Sequence, residues 1–168
     1  MPKNTIQPEG SQHVESLRAL ALEQLRFPPS GGSGPKLENL MTGTRDVTLD
    51  DKGRLYIPSS FREQLDSTSP VYVFAPAGQP GLWIFSEKEW KGLTDTALEH
   101  ARRPLNKADP IETLTLLLNR SERVQPDGHH RIQISPELMQ ASGLRKRADA
   151  IVVGSGNFLE VRPVGSGK

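Results

Sequence analysis

Asp50 and Arg54 stand four positions apart around Asp51, Lys52 and Gly53, between two runs rich in apolar residues, and Asp127 and Arg131 do the same around Gly128, His129 and His130. An aspartate so placed across a tight turn can pair with and orient the arginine that follows it. A guanidinium held this way is pre-organised to donate two parallel hydrogen bonds, the geometry that suits phosphate oxygens or the O6 and N7 edge of guanine. Lys52 adds a mobile point charge suited to backbone phosphate. A solvated hairpin turn also collects acids and bases. Recurrence of the Asp-to-Arg spacing where the intervening residues have changed favours the chemical reading over the bland one.

His129 and His130, beside Asp127, invite a metal reading into which His13 or His100 could be recruited. Adjacent histidines project differently, no third ligand has motif spacing and cysteine is absent, so no metal site and no cofactor are expected. A charge role fits better. Histidine ordinarily titrates near ~6.5, so falling pH adds positive charge to this tip, and DNA binding is expected to be tighter at about pH 6 than at about pH 8.

The elements that position these residues form an internal repeat. Residues 47–65, VTLDDKGRLYIPSSFREQL, lie over residues 124–142, VQPDGHHRIQISPELMQAS, so that Val47, Asp50, Arg54 and Ile57 meet Val124, Asp127, Arg131 and Ile134. Each copy reads strand, polar turn, strand, short helix. Gly53 and Gly128 are the expected left-handed turn residues, and Asp127-Gly128 is a hairpin signal. Ser60 with Glu63 has the capping-box pattern, Ser135 precedes a proline suited to the first helical position, and Gly143 is the expected helix stop. Two further strands follow in each copy: 71–75 and 82–85 in the first, 150–154 and 158–161 in the second. Between the copies the spacing predicts two helices, one capped by Ser86 with Glu89 and one by Asp109 with Pro110 and Glu112. Trp83, Trp90, Leu93, Leu114, Leu117 and Leu118 are expected in the core and at subunit contacts.

The first forty residues differ from the rest. Val14, Leu17, Ala21 and Leu25 share one helical face ahead of a Pro-Gly-Ser cluster, PPSGGSGP, which reads as a linker. That helix is either a frayed tail or a dock for a partner, and the segment is either an extension or the product of a start assigned upstream of Met41. A net charge of +1 announces neither nucleic acid nor membrane, so any such role rests on local clustering. The lack of cysteine fits a reducing compartment. With no continuous hydrophobic signal core and no apolar run approaching ~20 residues, a soluble cytoplasmic protein is expected.

LDDKGRLYIPSSFREQL, LWIFSEKEW, RIQISPEL and IVVGSGNFLEV resemble, in order and spacing, the MraZ family of bacterial transcriptional regulators, over about residues 41 to 163. The resemblance implies an α+β fold of two tandem swapped-hairpin modules of the SpoVT/AbrB type, related by a pseudo-two-fold. On that basis residues 1–40 are extension and linker, 41–100 the first module with its connecting helix, 101–120 a second connecting helix, 121–163 the second module and 164–168 a tail. It further implies a nucleoid-associated repressor of its own division and cell-wall gene cluster, assembled as a ring-shaped homo-oligomer on short direct repeats of double-stranded DNA. Lys52, Arg54, Arg131, His129 and His130 would contact the DNA, with Asp50 and Asp127 orienting the arginines. The second turn departs from the family's Gly-Arg pair, having His130 before Arg131, and has Pro126 where the first copy has Leu49, so a differently shaped turn is expected there.

Two other classes compete. An enzyme lacks support, because the chain has no nucleophile elbow, no phosphate-cradling glycine loop and no metal-ligand cluster, and no small-molecule substrate is expected. An antitoxin-like or scaffold module that binds protein through the N-terminal helix is the alternative, against which the duplicated architecture weighs.

Overall fold

The computed structural model describes residues 18–19, 40–102 and 118–165. The strands are β1 (Thr44–Thr48), β2 (Arg54–Tyr56), β3 (Val71–Phe74), β4 (Leu82–Ser86), β5 (Ser121–Val124), β6 (Arg131–Gln133), β7 (Asp149–Gly154) and β8 (Leu159–Pro163). A 3-10 turn, Ser59–Phe61, runs into α1 (Arg62–Leu65), α2 (Glu87–Arg102) follows β4, and α3 (Pro136–Ser142) follows β6. The fold is α+β and rich in antiparallel strands. One six-stranded sheet has the order β1-β7-β8-β4-β3-β5, and β2 pairs with β6 in a separate ribbon.

The repeat governs the pairing. β1 of the first copy borders β7 of the second, and β5 of the second borders β3 of the first. In the ribbon Arg54 faces Gln133 and Arg131 faces Tyr56, with Leu55 opposite Ile132 between them. Leu82 faces Val161 and Ile84 faces Leu159, with Trp83 opposite Glu160 between them. Exchanging the two copies leaves both ladders unchanged.

Period-2 alternation explains the continuous apolar runs of β3 and β4. Val71, Val73, Leu82 and Ile84 face a core shared with Leu55, Ile57, Phe61, Leu65, Ile132, Ile134 and Leu138, under the ribbon and the short helices. Phe74, Trp83 and Phe85 face the other way, packing with Phe158 and with Trp90, Leu93 and Ala97 of α2. The sheet is covered on both sides there.

Three of the expected boundaries match. Glu89 N–H donates to Ser86 Oγ at 3.2 Å at the start of α2, Leu138 N–H donates to Ser135 Oγ at 3.2 Å at the start of α3, and Gly143 closes α3 at φ 76°. The Ser60–Glu63 capping box does not form: after Pro58 the chain enters a 3-10 turn, so Ser60 lies inside that turn and makes no cap bond. Trp83, Trp90 and Leu93 are core residues, whereas Leu118 is 56% exposed. The Asp109 helix with Leu114 and Leu117, most of the N-terminal helix, and the linker lie outside the described residues. Of the N-terminal helix, Arg18 and Ala19 are described and are helical. Arg18 pairs with the buried Glu160 and lies 5.1 Å over the Trp83 ring, so this part of the extension engages the chain's own sheet. Arg162 Nη2 donates to the same carboxylate at 2.7 Å. Burial pushes Glu160 up, but bonds from Arg18 and Arg162 outweigh it and hold the carboxyl below its usual range. Among the described residues no helix is long and apolar enough to cross a membrane.

Candidate nucleic-acid interface

At the first tip, Asp50 Oδ1 accepts from the backbone N–H groups of Lys52 at 2.9 Å and Arg54 at 2.8 Å, while Oδ2 accepts from Arg54 Nε at 2.6 Å. Asp50 N–H donates to Arg54 O, and Gly53 N–H donates to Asp50 O, both at 3.1 Å. The second tip repeats the set. Asp127 Oδ1 accepts from His129 N–H and Arg131 N–H, each at 2.9 Å, and Oδ2 from Arg131 Nε at 2.8 Å. Each aspartate thus folds the turn and fixes the guanidinium with one carboxylate. Among the described residues the Nη nitrogens of both arginines take no hydrogen bond, and the side chains are 25% and 30% exposed.

The electrostatics follow from these bonds. The Arg131 backbone N–H, opposed by partial desolvation and helped by His129 N–H and the Arg131 side chain, lowers the Asp127 carboxyl to about 2. Desolvation pushes Asp50 up, yet the bonds from Arg54 and Lys52 outweigh it and hold the carboxyl below its ordinary value. Both groups stay ionised far below neutrality, and the tips keep their shape.

The left-handed residue is the one directly before each arginine: Gly53 at φ 76° and His130 at φ 60°. Gly128 is not among the positive-φ residues, which corrects the hairpin reading of Asp127-Gly128. Histidine tolerates this region better than bulkier residues, and His130 Nδ1 is anchored at 2.8 Å to Ser67 Oγ. The second turn is therefore not differently shaped despite its sequence. Pro126 fills a buried slot as Leu49 does, and its missing N–H removes only the equivalent of the Leu49 N–H bond to Ala148 O. Gly53→Ala is expected to destabilise by about 1 kcal/mol or more, since alanine there must hold positive φ and displace Met139 Cε from 2.7 Å. Gly128→Ala, with nothing within 4 Å, should be neutral or stabilising by up to about 1 kcal/mol. Urea midpoints of the two variants decide it, and equal losses would refute the assignment.

The ribbon brings the tips together. Leu55 and Ile132 are buried on one face, so Arg54, Tyr56, Arg131 and Gln133 share the other. Arg54 and Arg131 are diagonal neighbours, a relation that spaces residues by about 7–8 Å. Ile134 N–H donates to Gly53 O at 3.1 Å and Ile57 N–H to His130 O at 2.9 Å, so each tip is braced by the other copy. Lys52 and His129 are exposed at opposite ends of the ribbon. A two-stranded ribbon fits the roughly 12 Å width of a duplex major groove. Three neighbours escaped sequence reasoning. Gln133 Nε2 donates to Lys52 O at 2.8 Å, and the Arg62 guanidinium lies 4.7 Å over the Tyr56 ring. Strand alternation would have placed Tyr56 and Gln133 on the arginine face. Among the described residues no group of three metal-ligating side chains is placed to hold an ion.

A family model described as "MraZ protein, putative antitoxin-like" matches residues 40–108. A protein of Treponema denticola named Transcriptional regulator MraZ is 31% identical over 121 residues, covering 72% of this chain and 80% of the relative. The chain belongs to the MraZ family. A Salmonella typhi protein of the same name is 32% identical over 126 residues, 73% of this chain and 78% of its own, and one from Leifsonia xyli is 27% identical over 122 residues, 73% and 80%. The MraZ model match takes in the first tip and stops short of the second, whose equivalence rests on the internal repeat and its hydrogen bonds.

Proposed function

We propose that the protein is a sequence-specific DNA-binding transcriptional regulator, an MraZ-type repressor of its own division and cell-wall gene cluster. The observation that carries this reading is the twin tip: two arginines, each clamped at Nε by an aspartate, on one face of a ribbon narrow enough for a major groove. The names of the relatives support it. In this reading residues 41–100 and 121–163 are two SpoVT/AbrB-type modules that exchange hairpins about a pseudo-two-fold, linked through 101–120. Arg54 and Arg131 read base edges, Lys52, His129 and His130 meet phosphates, and Asp50 and Asp127 orient the arginines. Subunits close into a ring, and direct repeats spaced near one helical turn, roughly 10 base pairs, meet successive subunits.

The test is a fluorescence-anisotropy titration of the full chain against the DNA upstream of its own gene and a scrambled duplex, across a salt series. Salt-dependent binding that prefers the native fragment is expected. Weak binding, equal for both duplexes, would defeat the proposal.

A pH dependence follows. The stabilising contribution of Asp127 is fully present above the ordinary carboxylate value near ~3.9 and is lost only as pH falls through about 2. Neither tip aspartate therefore changes charge between about pH 8 and pH 6, so a change of affinity over that range comes from other groups of the interface. Affinity should be higher at about pH 6, with a steeper salt slope, and the difference should vanish in a His129→Ala, His130→Gly variant. Equal wild-type affinity at both pH values and constant salt removes the idea.

A further inference from the structure

The two tips are alike in their hydrogen bonds and unlike in their neighbours. The loop after α3 carries Arg145, Lys146 and Arg147, all exposed, whereas the loop in the equivalent place after α1, residues 66–70, carries Asp66 and no cation. Each loop lies beside the tip of the other copy. Arg147 N–H donates to Asp50 O at 3.3 Å and Leu49 N–H to Ala148 O at 3.0 Å, while on the other side Ser67 meets His130 and Gln125 Nε2 donates to Thr68 O at 3.3 Å.

The basic loop is shaped as well as charged. Ala148 N–H donates to Arg145 O at 3.3 Å, closing a turn in which Arg147 sits at φ 61°. It is thereby fixed to the backbone of the aspartate that orients Arg54. Between this loop, α3 and the first tip lies a groove of about 720 Å³, lined by Lys52, Gln133, Met139, Gln140, Arg145 and Lys146 among others, with no carboxylate in its wall. Among the described residues the side chains of Lys52, Arg145, Lys146 and Arg147 make no ion pair. Like charges gathered without counter-charges repel one another, and a polyanion relieves that repulsion.

We propose that this groove is a second nucleic-acid contact: an anchor for the phosphates of a duplex, present at the first tip and missing from the second. The proposal rests on the DNA-binding reading above and adds to it a site and a direction. No aromatic side chain lines the groove, so it lacks the stacking platform that single-stranded nucleic acid uses, and a duplex backbone is the fitting occupant. An anchor at one end gives the near-symmetric ribbon a polarity, so that each subunit lies on the duplex in one orientation.

The experiment uses the full chain, its own upstream duplex and a scrambled one, between about 50 and 200 mM salt. The variants are Arg145→Gln with Lys146→Gln, and Lys146→Gln alone in case the double variant fails to fold, with circular dichroism as the folding control. Each phosphate that a cation neutralises contributes roughly 0.9 to the slope of log affinity against log salt. The fall in affinity across that range should therefore shrink about 3.5-fold when one phosphate goes without its cation and about 12-fold when two do. Both duplexes should weaken alike, leaving the preference for the native one intact. An unchanged slope, with wild-type binding present and still sensitive to Arg54→Ala, overturns the anchor alone. A changed preference at constant slope also overturns it, because the loop would then be reading bases. If the wild-type chain binds neither duplex, the DNA-binding reading falls with it.

Discussion

Arg54→Ala should reduce affinity for the native duplex by about 1–3 kcal/mol, roughly five- to 150-fold, while leaving the scrambled duplex less affected, so that preference collapses. The expectation follows from what the arginine does within the protein, which is little. Its Nε satisfies Asp50, but the same carboxylate keeps two backbone N–H donors after truncation, so the turn survives and the melting temperature should barely move. Truncation takes away the free Nη pair. Lys52→Ala is the contrast: the ammonium is a rotating point charge rather than a planar fork, so its loss should weaken both duplexes equally and lower the salt slope by roughly 0.9. Asp50→Asn separates positioning from contact, because an amide oxygen still accepts from Lys52 and Arg54 N–H while the ionic hold on Nε is gone. Native affinity should then fall by less than in Arg54→Ala. Arg131→Ala, measured beside these, reports whether the second tip touches DNA. Arg54→Ala with native preference intact would sink the reading of the tip.

What could be read from the sequence was what local chemistry decides. Ser86, Ser135 and Gly143 act within one turn of chain, and their roles appear in the structure as expected. The Asp50–Arg54 and Asp127–Arg131 pairs are also local, and copying a spacing across a repeat is informative because a solvated turn has no reason to preserve it. The failures have physical causes. Gly128 drew attention because Asp-Gly is a strong two-residue hairpin signal, but an aspartate that folds back onto the N–H four residues on needs its left-handed residue just before that N–H, where this chain has His130. Ser60 looked like a cap until Pro58 led the chain into a 3-10 turn. The pairing of β1 with β7, β2 with β6 and β3 with β5, the meeting of Gln133 with Lys52, and the approach of Arg145–Arg147 to the first tip are long-range. Neither periodicity nor turn chemistry reports on those.

Leu55→Ala should lower the unfolding free energy by about 2–5 kcal/mol, and its effect on DNA binding should exceed what that loss of stability implies. The ribbon has three residue pairs, too few to hold together by their own hydrogen bonds in water. It is held because Leu55 and Ile132, facing each other and about 1% and 0% exposed, are buried in the main core directly beneath Arg54 and Arg131. A cavity at this pair loosens the surface that positions both guanidinium groups at once. The control is Ile84→Ala, fully buried on the same core but in the six-stranded sheet, where a similar cavity leaves the ribbon pairs in place. At a temperature where both variants are folded by circular dichroism, Leu55→Ala should bind the native duplex more weakly and Ile84→Ala should bind it as the wild type does. Ile132→Ala closes a double-mutant cycle with Leu55→Ala, and the coupling in urea denaturation should be about 0.5–3 kcal/mol, because either truncation alone already opens the shared site. If Leu55→Ala and Ile84→Ala are equally unstable and equally good at binding, the arginines owe their positions to their aspartates alone, and the ribbon beneath them is only a link between two independent turns.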